Sequence, residues 1–286
     1  MPKKLQKSKY FSLVTIILLC AVLIFVCTLL FNLKSGVKIS YLDVGQGDAT
    51  LITVLNGPNI LIDTGPGNTV LRALDKEFMF FPRRLDIILL THLDADHIGG
   101  TVEILRRYDV GVILITHNSD KPEIADIKIL AQEKNIPIKI VKQGDYLDLG
   151  NNSALQILFP DQSVDDWEEN TTSAIIRLAV GEESFIFTGD APQATENLVA
   201  YYYGSALKAN VLKLGHHGSK TSTSDMFLAA VNPEYTVISA GLNNRYGHPN
   251  KETIEKINKL NKKILETFQS RTIEFWSDGK TLSMSI

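Results

Sequence analysis

The sequence predicts an α/β fold, in two successive strand–helix series, preceded by one N-terminal transmembrane helix. Three observations carry this. Short β-branched runs alternate with helical segments over residues 37–286. The half beginning at Ala191 repeats the alternation of the first. The run from Phe11 to Phe31 holds no charged residue, and no later stretch matches its length.

At helical rise, Phe11 to Phe31 spans roughly 30 Å, the thickness of a bilayer's hydrocarbon core. Lys3, Lys4, Lys7 and Lys9 precede it, which favours keeping that end in the cytoplasm. The expected organisation is a cytoplasmic basic tail at 1–10, a transmembrane anchor at 11–32 and a folded domain at 33–286. The chain is then a single-pass protein of the cell membrane with its domain on the extracellular side. A cleaved signal peptide is the rival. The run is long for one, and Phe31-Asn-Leu-Lys-Ser-Gly36 offers no small-x-small cleavage site.

Strands are expected over Val37–Leu42, Ala49–Val54 and Asn59–Ile62, separated by Gly/Asp and Asn-Gly-Pro turns. A helix near Asn68–Asp75 leads to strand Leu85–Leu90, whose last four residues are all apolar, as burial on both faces requires. Thr101–Arg107 reads as helix and Val112–Ile115 as strand. In helix Glu123–Lys134 the apolar stripe is Ile124, Ile127, Leu130 and Ala131. Strands follow at Ile138–Val141, Ala154–Phe159, Ala174–Val180 and Ser184–Phe187. The second series is helix Ala191–Tyr203, strand Val211–Leu214, helix Ser224–Ala230, strand Tyr235–Ile238, helix Lys251–Leu260 and strand Lys263–Glu266. Thr272–Phe275 and Thr281–Ser285 close it as a hairpin around Asp278-Gly279.

Net charge is −3, so no global basic field advertises a nucleic-acid partner. Cys20 and Cys27, the two cysteines, both lie in the apolar run. Thiolate metal sites, cysteine nucleophiles and disulfides are therefore excluded from the folded part. Any ion there is held by His, Asp, Glu or Asn.

Chemistry concentrates in Leu89-Leu-Thr-His92-Leu-Asp94-Ala-Asp96-His97-Ile-Gly-Gly100, where a buried strand ends and a helix begins. Four potential ligands within six residues exceed what a fold buries without a counter-ion. Two divalent cations would neutralise the carboxylates and use the imidazole nitrogens. Further candidate ligands follow other strands: Asp63 in Leu61-Ile-Asp-Thr-Gly65, Asp190 in Phe187-Thr-Gly-Asp190, His216 and His217 in Gly215-His-His-Gly-Ser219, and His248 in Tyr246-Gly-His-Pro249. Of the six histidines, only His117 stands outside these motifs, and it reads as a surface residue.

The order Asp63, His92-x-Asp94-x-Asp96-His97, Asp190, His217 resembles the metallo-β-lactamase fold superfamily. More narrowly, Tyr41-Leu-Asp-Val-Gly-Gln-Gly-Asp-Ala49, Thr91–Gly100, His216-His-Gly-Ser-Lys220 and Tyr246–Pro249 are similar to the hydrolase domain of ComEC competence proteins. The resemblance covers nearly all of residues 38–286. It implies an αββα sandwich with the site at one edge between two sheets. It implies that His92 and Asp94 bind a first ion and that Asp96 and His97 bind a second. Asp190 bridges them, His216 or His217 adds a later ligand, and Asp63 orients the site from behind. Two departures stand out. The superfamily usually has His where this chain has Asp94. It also supplies a histidine between the central motif and the bridging Asp, where the nearest stand-in here is Asn170. Both changes replace nitrogen by oxygen, so Mn²⁺ becomes a rival to Zn²⁺.

The expected reaction is hydrolysis by a metal-bound hydroxide, with Asp96, Asp190 and His248 as catalytic residues. Ser219, Lys220 and the backbone N–H groups of Gly218 and Ser219 are candidate phosphate contacts, and Asn243, Asn244 and Arg245 candidates for the mouth. Lys208, Lys213, Lys220 and Arg245 are the basic residues near enough to meet DNA. The resemblance implies a nuclease or phosphodiesterase acting on nucleic acid outside the membrane, with a DNA-uptake channel protein as the expected partner, since one span cannot be a channel. The alternatives are hydrolysis of a small ester, lactam or cell-wall phosphodiester, a non-catalytic binding module with a degenerate metal site, and a membrane-anchored scaffold.

Overall fold

The computed structural model describes residues 13–26, 36–79 and 82–286, and the chain divides into two units, Met1–Ser35 and Gly36–Ile286. In the first unit, residues 13–26 form an exposed helix, α1. Its 14 residues span roughly 21 Å at helical rise. Among the described residues, no helix is long and apolar enough to cross a membrane. The expected basic tail and both ends of the expected anchor lie outside the described residues.

The second unit holds two sheets. One has the order β15-β14-β1-β2-β3-β4-β5-β6 and the other β13-β12-β11-β10-β9-β8-β7. In the first, β3 (Asn59–Ile62), β4 (Arg84–Leu89), β5 (Asp109–Ile115) and β6 (Ile138–Ile140) run parallel. In the second, β10 (Glu183–Phe187), β11 (Val211–Lys213), β12 (Tyr235–Ile238) and β13 (Lys263–Glu266) run parallel. Antiparallel strands complete both: β1 (Val37–Tyr41), β2 (Thr50–Val54), β14 (Ile273–Ser277) and β15 (Leu282–Ser285) in the first, and β7 (Tyr146–Gly150), β8 (Ser153–Phe159) and β9 (Ile175–Val180) in the second.

Why the sheets stack follows from the two-residue alternation of strand side chains. In β3, Ile60 and Ile62 join an apolar layer shared with Leu178, Phe185 and Val211 of the other sheet, while Leu61 faces the opposite way. In β10, Phe185 and Phe187 face that shared layer and Ile186 faces outward. Both faces are buried, so these strands read as continuous apolar runs. The outer face of the first sheet packs on Val70 and Leu74 of α2 (Thr69–Glu77), Ile104 and Leu105 of α4 (Thr101–Arg107), and Ile124 and Ile127 of α5 (Pro122–Glu133). The outer face of the second packs on Val199 of α6 (Gln193–Tyr203), Phe227 and Leu228 of α7 (Asp225–Val231), and Ile257 of α8 (Lys251–Lys259). The layers are therefore helix, sheet, sheet, helix. At the centre, Tyr41, Phe187, Phe185 and Phe275 make tilted and edge-on ring contacts at 5.9–6.1 Å. Each such side chain contributes roughly 1.5–3 kcal/mol through burial.

Over residues 37–286 the expected elements are present, with ends that differ by one to three residues, most at β5, which begins at Asp109 rather than Val112. One strand was not foreseen: β7, Tyr-Leu-Asp-Leu-Gly, an edge strand paired only with β8 through a register shift at Asp148–Gly150. Its exposed face carries Tyr146 and Asp148, so its apolar signal is weak.

Candidate metal centre

The sheets bring loops from five strands to one edge. Asp63 follows β3, and His92 to His97 follow β4, with Ala95–Ile98 forming a short helix, α3. Asp190 follows β10, His216 and His217 follow β11, and His248 lies in the loop after β12. Backbone bonds lock these loops together. The Thr64 N–H donates to the His97 carbonyl (2.6 Å), the Asp48 N–H to Asp96 (3.2 Å), and the Gly100 N–H to Gly65 (3.0 Å). Gly47, at φ +143°, lies so close to the Asp96 carbonyl that a Cβ there would collide with it. Asp63, His216 and His217 all hold left-handed φ of 50–57°. Strained non-glycine backbone of this kind collects at functional sites.

His97 is the centre of the arrangement. It is fully buried, and its Nδ1 lies 2.8 Å from Asp63 Oδ2. Asp63 also accepts the Thr91 N–H (2.8 Å) and hydroxyl (2.7 Å), so the acid, and through it the ring, is fixed. His97 Nε2 then faces Asp190 Oδ1 at 3.2 Å. His217 Nε2 lies 3.1 Å from Asp96 Oδ2 and 3.6 Å from Asp190 Oδ2. Its Nδ1 is 2.9 Å from the Ser239 carbonyl and 3.2 Å from Asp48 Oδ1. The His92 ring packs 4.0 Å from that of His97.

This geometry fits a metal. The buried atoms His92 Nε2, His97 Nε2 and Asp190 Oδ1 have no hydrogen-bond partner, although the last two face each other. Unpaired buried polar atoms cost several kcal/mol in general, and here they converge. His92, His97 and Asp190 form one group able to hold an ion, and Asp96, His97 and His217 another. The donors are imidazole and carboxylate, a set suited to Zn²⁺ or Mn²⁺. Asp94 and Asn170 line the cavity above, about 140 Å³, together with Asp190, His216, His217 and His248. Beside it opens a cleft of about 630 Å³ that shares Gln46, Asp96 and Tyr246 and adds Arg245.

Electrostatics within the cluster is strongly coupled. Burial works to lower the His217 imidazole, but Asp190 and Asp48 push it up to about 10. Burial likewise opposes charge on His97, yet Asp190 and Asp63 hold it well above its ordinary value. Burial favours a neutral Asp190, but His217 and His97 keep it well below the usual carboxylate range. Burial and the neighbouring His97 push His92 down to about 3. Without an ion, the protons on His97 and His217 supply the positive charge the carboxylates require.

Several residues sit differently from their sequence reading. His117 is not on the surface: it is 4% exposed, at the end of β5, with Nε2 3.7 Å from Glu169 Oε1. Lys213, at 2% exposure, is buried in an ion pair with Asp48 and cannot meet DNA. The Ser219 N–H already donates to the His216 carbonyl (2.8 Å), and its hydroxyl pairs with Thr221 (3.0 Å). The Lys220 N–H is taken by Asn250 Oδ1 (2.7 Å), and its side chain is exposed. Asn244 organises the mouth, its Oδ1 accepting the N–H groups of Tyr246 and His248 (both 3.1 Å). His248 stacks on Tyr246 with ring centres 5.9 Å apart, and its buried Nδ1 is unpartnered.

Asp48 is the functional residue the sequence reading missed. Its signal in the sequence is the Asp-Val-Gly-Gln-Gly-Asp motif that ends on it. Asp94 also has unforeseen company. Its Oδ1 lies 3.4 Å from Lys121 Nζ, and that ammonium is 2.5 Å from Glu169 Oε2. Glu169 Oε1 accepts the Leu93 N–H at 2.6 Å.

A two-sheet sandwich with an imidazole–carboxylate cluster at the ends of its parallel strands is the architecture of a metal-dependent hydrolase. The chain belongs to the metallo-beta-lactamase superfamily, whose pattern matches residues 42–241. It is similar to "ComE operon protein 3" of Bacillus subtilis, 29% identical over 94% of this chain and 36% of that protein. It is 34% identical to "Recombination protein 2" of Haemophilus influenzae over 80% of this chain and 27% of that one. "Competence protein ComA" of Neisseria gonorrhoeae is 31% identical over 82% of this chain and 31% of its own length. The chain thus spans about a third of these relatives. Its fold is shared by the metallo hydrolase Igni18 of Ignicoccus hospitalis, at TM-score 0.55 and 18% identity over 83% of this chain and 98% of that one.

Two outcomes follow from the cluster. Asp48→Asn removes the charge behind His217 and lowers ion affinity roughly 10–100-fold, measurable by calorimetric titration; unchanged affinity would leave Asp48 a purely structural acid. The second concerns pH. His217 is raised from 6.5 to about 10, so its proton stabilises the ion-free fold fully below 6.5, and that stability is lost as pH rises through about 10. An ion held by both rings must displace this proton and the one on His97, so affinity should rise by at least about tenfold, and up to about a hundredfold, per pH unit across that window, with proton release seen as buffer-dependent heat. A flat profile would contradict the assignment.

Proposed function

We propose that the chain is a membrane-anchored hydrolase of nucleic-acid phosphodiester bonds that works with two divalent ions, zinc or manganese. The observation that carries the hydrolase reading is the convergence of unpartnered His92 Nε2, His97 Nε2 and Asp190 Oδ1 beneath an open cleft. In this reading His92, Asp94 and Asn170 serve the first ion, Asp96, His97 and His217 the second, and Asp190 both. His217 is preferred over His216 because its buried Nε2 lies 3.1 Å from Asp96 Oδ2 as well as 3.6 Å from Asp190 Oδ2, whereas His216 Nε2 approaches only Asp190 among the described carboxylates, at 3.7 Å, from a ring 25% exposed. Bound ions supply a hydroxide nucleophile near neutral pH and stabilise developing negative charge. Asp63 and Asp48 hold the ligand imidazoles, and His248, which lines the cavity, is the candidate to hand a proton to the leaving group.

The nucleic-acid part rests on similarity to proteins named for competence and recombination across four-fifths or more of this chain. The cleft beside the cavity supports it by giving a polymer room to continue past the ions. A DNA-uptake channel protein is the corresponding partner. The anchor rests on the uncharged run Phe11 to Phe31 and the lysines before it, which orient the hydrolase domain to the extracellular side. A second reading has one specific observation in its favour. With Lys213 buried, Arg245 is the cation among the residues lining the two cavities, which suits a smaller ester or a cell-wall phosphodiester.

The decisive assay incubates the purified full chain with labelled single- and double-stranded DNA, with Mn²⁺, Zn²⁺ or chelator. Cleavage should require an ion. Asp190→Ala should reduce it by more than the roughly 100-fold typical of losing a ligand's hydrogen-bond partner. Bound ion without cleavage would move the substrate to the smaller esters, and full activity in Asp190→Ala would sink the metal mechanism. For the anchor, the expressed chain should stay with membranes through alkaline carbonate extraction, and external protease should digest the domain on intact protoplasts. Release into the supernatant would refute anchoring.

A further inference from the structure

The two ion groups are not equally provided for. In the group of Asp96, His97, His217 and Asp190, two buried imidazoles are each backed by a buried acid, His97 by Asp63 and His217 by Asp48. The first position keeps one buried imidazole, His92, with an unpartnered Nε2 3.8 Å from Asp94 Oδ2. The other oxygen of Asp94 is occupied: Lys121 Nζ stands 3.4 Å from it. The Lys121 side chain is partly exposed, at 42%, but its ammonium is held on the inner side. It is gripped by Glu169 at 2.5 Å, and Glu169 is 12% exposed in its side chain and anchored by the Leu93 N–H, one residue from Asp94. Glu169 also adjoins Asn170, the oxygen donor expected for the same ion. Buried His117 closes the far side of Glu169 at 3.7 Å.

We propose that Lys121, seated on Asp94 by Glu169, is a built-in counter-cation that weakens the first ion position relative to the second. This rests on the metal-hydrolase reading and deepens it. An ammonium on a ligand carboxylate withdraws the charge that carboxylate offers a metal, and it adds a positive charge close to the dication. The usual histidine at position 94 would be neutral and would need no such partner. Substituting a carboxylate there brings a charge, and the chain answers it with a lysine. The first ion is then the exchangeable one, while the second is held by the buried cluster. Lys121 acts through Asp94 and is a positioning residue, not a catalytic one.

The test is calorimetric titration of the chelator-treated full chain with Mn²⁺ alone, with bound ion counted by elemental analysis. The parent should bind a tight ion and a weaker one. Lys121→Met should tighten the weak step at least tenfold and leave the tight step within twofold. Lys121→Arg, which keeps the charge, should restore the weak step. Melting curves of the ion-free variants establish that both are folded; if Lys121→Met does not fold, Lys121→Gln takes its place in the titration. A weak step that is unchanged or weaker without the ammonium would overturn the proposal and make Lys121 a simple support for Asp94. So would one bound ion in parent and variant alike. Failure of every variant and the parent to bind Mn²⁺ would instead overturn the metal-hydrolase reading beneath it.

Discussion

The edge of the sandwich depends on one ring that is fixed from the first sheet and faces an acid of the second. His97 is buried between Asp63, which fixes Nδ1, and Asp190, which faces Nε2 at 3.2 Å. Asp63 comes from the first sheet and Asp190 from the second. The ring therefore sets the distance between the strand ends that carry the remaining ligands. Asp63 can do this because Thr91 donates to both of its oxygens, so the acid has no freedom to follow the ring elsewhere. His217 repeats the scheme with the Ser239 carbonyl and Asp48 behind it. Partners of this kind fix ring orientation and raise ligand basicity.

Close packing of so much charge is tolerable because the layers beneath are apolar and well filled. Aromatic and branched side chains from both sheets meet between them, and the loops inherit their spacing from that layer. Lys213 shows how the fold treats surplus charge: it enters the interior only to neutralise Asp48. Burying such a pair gains little by itself. Its value here is that Asp48 remains charged behind His217.

Much of this was legible in the sequence, and the limits were physical. Strands β3, β4 and β10 announced themselves because burial on both faces makes them continuously apolar. The ligands that follow them were legible because four fall within six residues and the others lie immediately after a strand. Edge strand β7 was not, since half of it faces water. Asp48 and Lys213 were misjudged because their pairing joins segments far apart in the chain, and no local pattern encodes it. His117 carried no motif around it, yet it too ends a parallel strand, and that position was the better guide. His216 and His217 could not be told apart in the sequence, and in the fold both turn Nε2 toward Asp190, at 3.7 and 3.6 Å, with only His217 buried.

The ligands are divided between the two sheets, and this has a mechanical consequence. An ion bound to His97 and His217 would act as a rivet across the seam, at the one edge where the strands' carboxyl ends meet. Sliding of one sheet over the other then strains coordination directly. Substitutions deep in the layer around Tyr41 and Phe187, with no contact to the cleft, would be felt as a change in how the rivet sits. Rigidity of the middle layer and the seating of an ion at this edge would then be one property measured at two places.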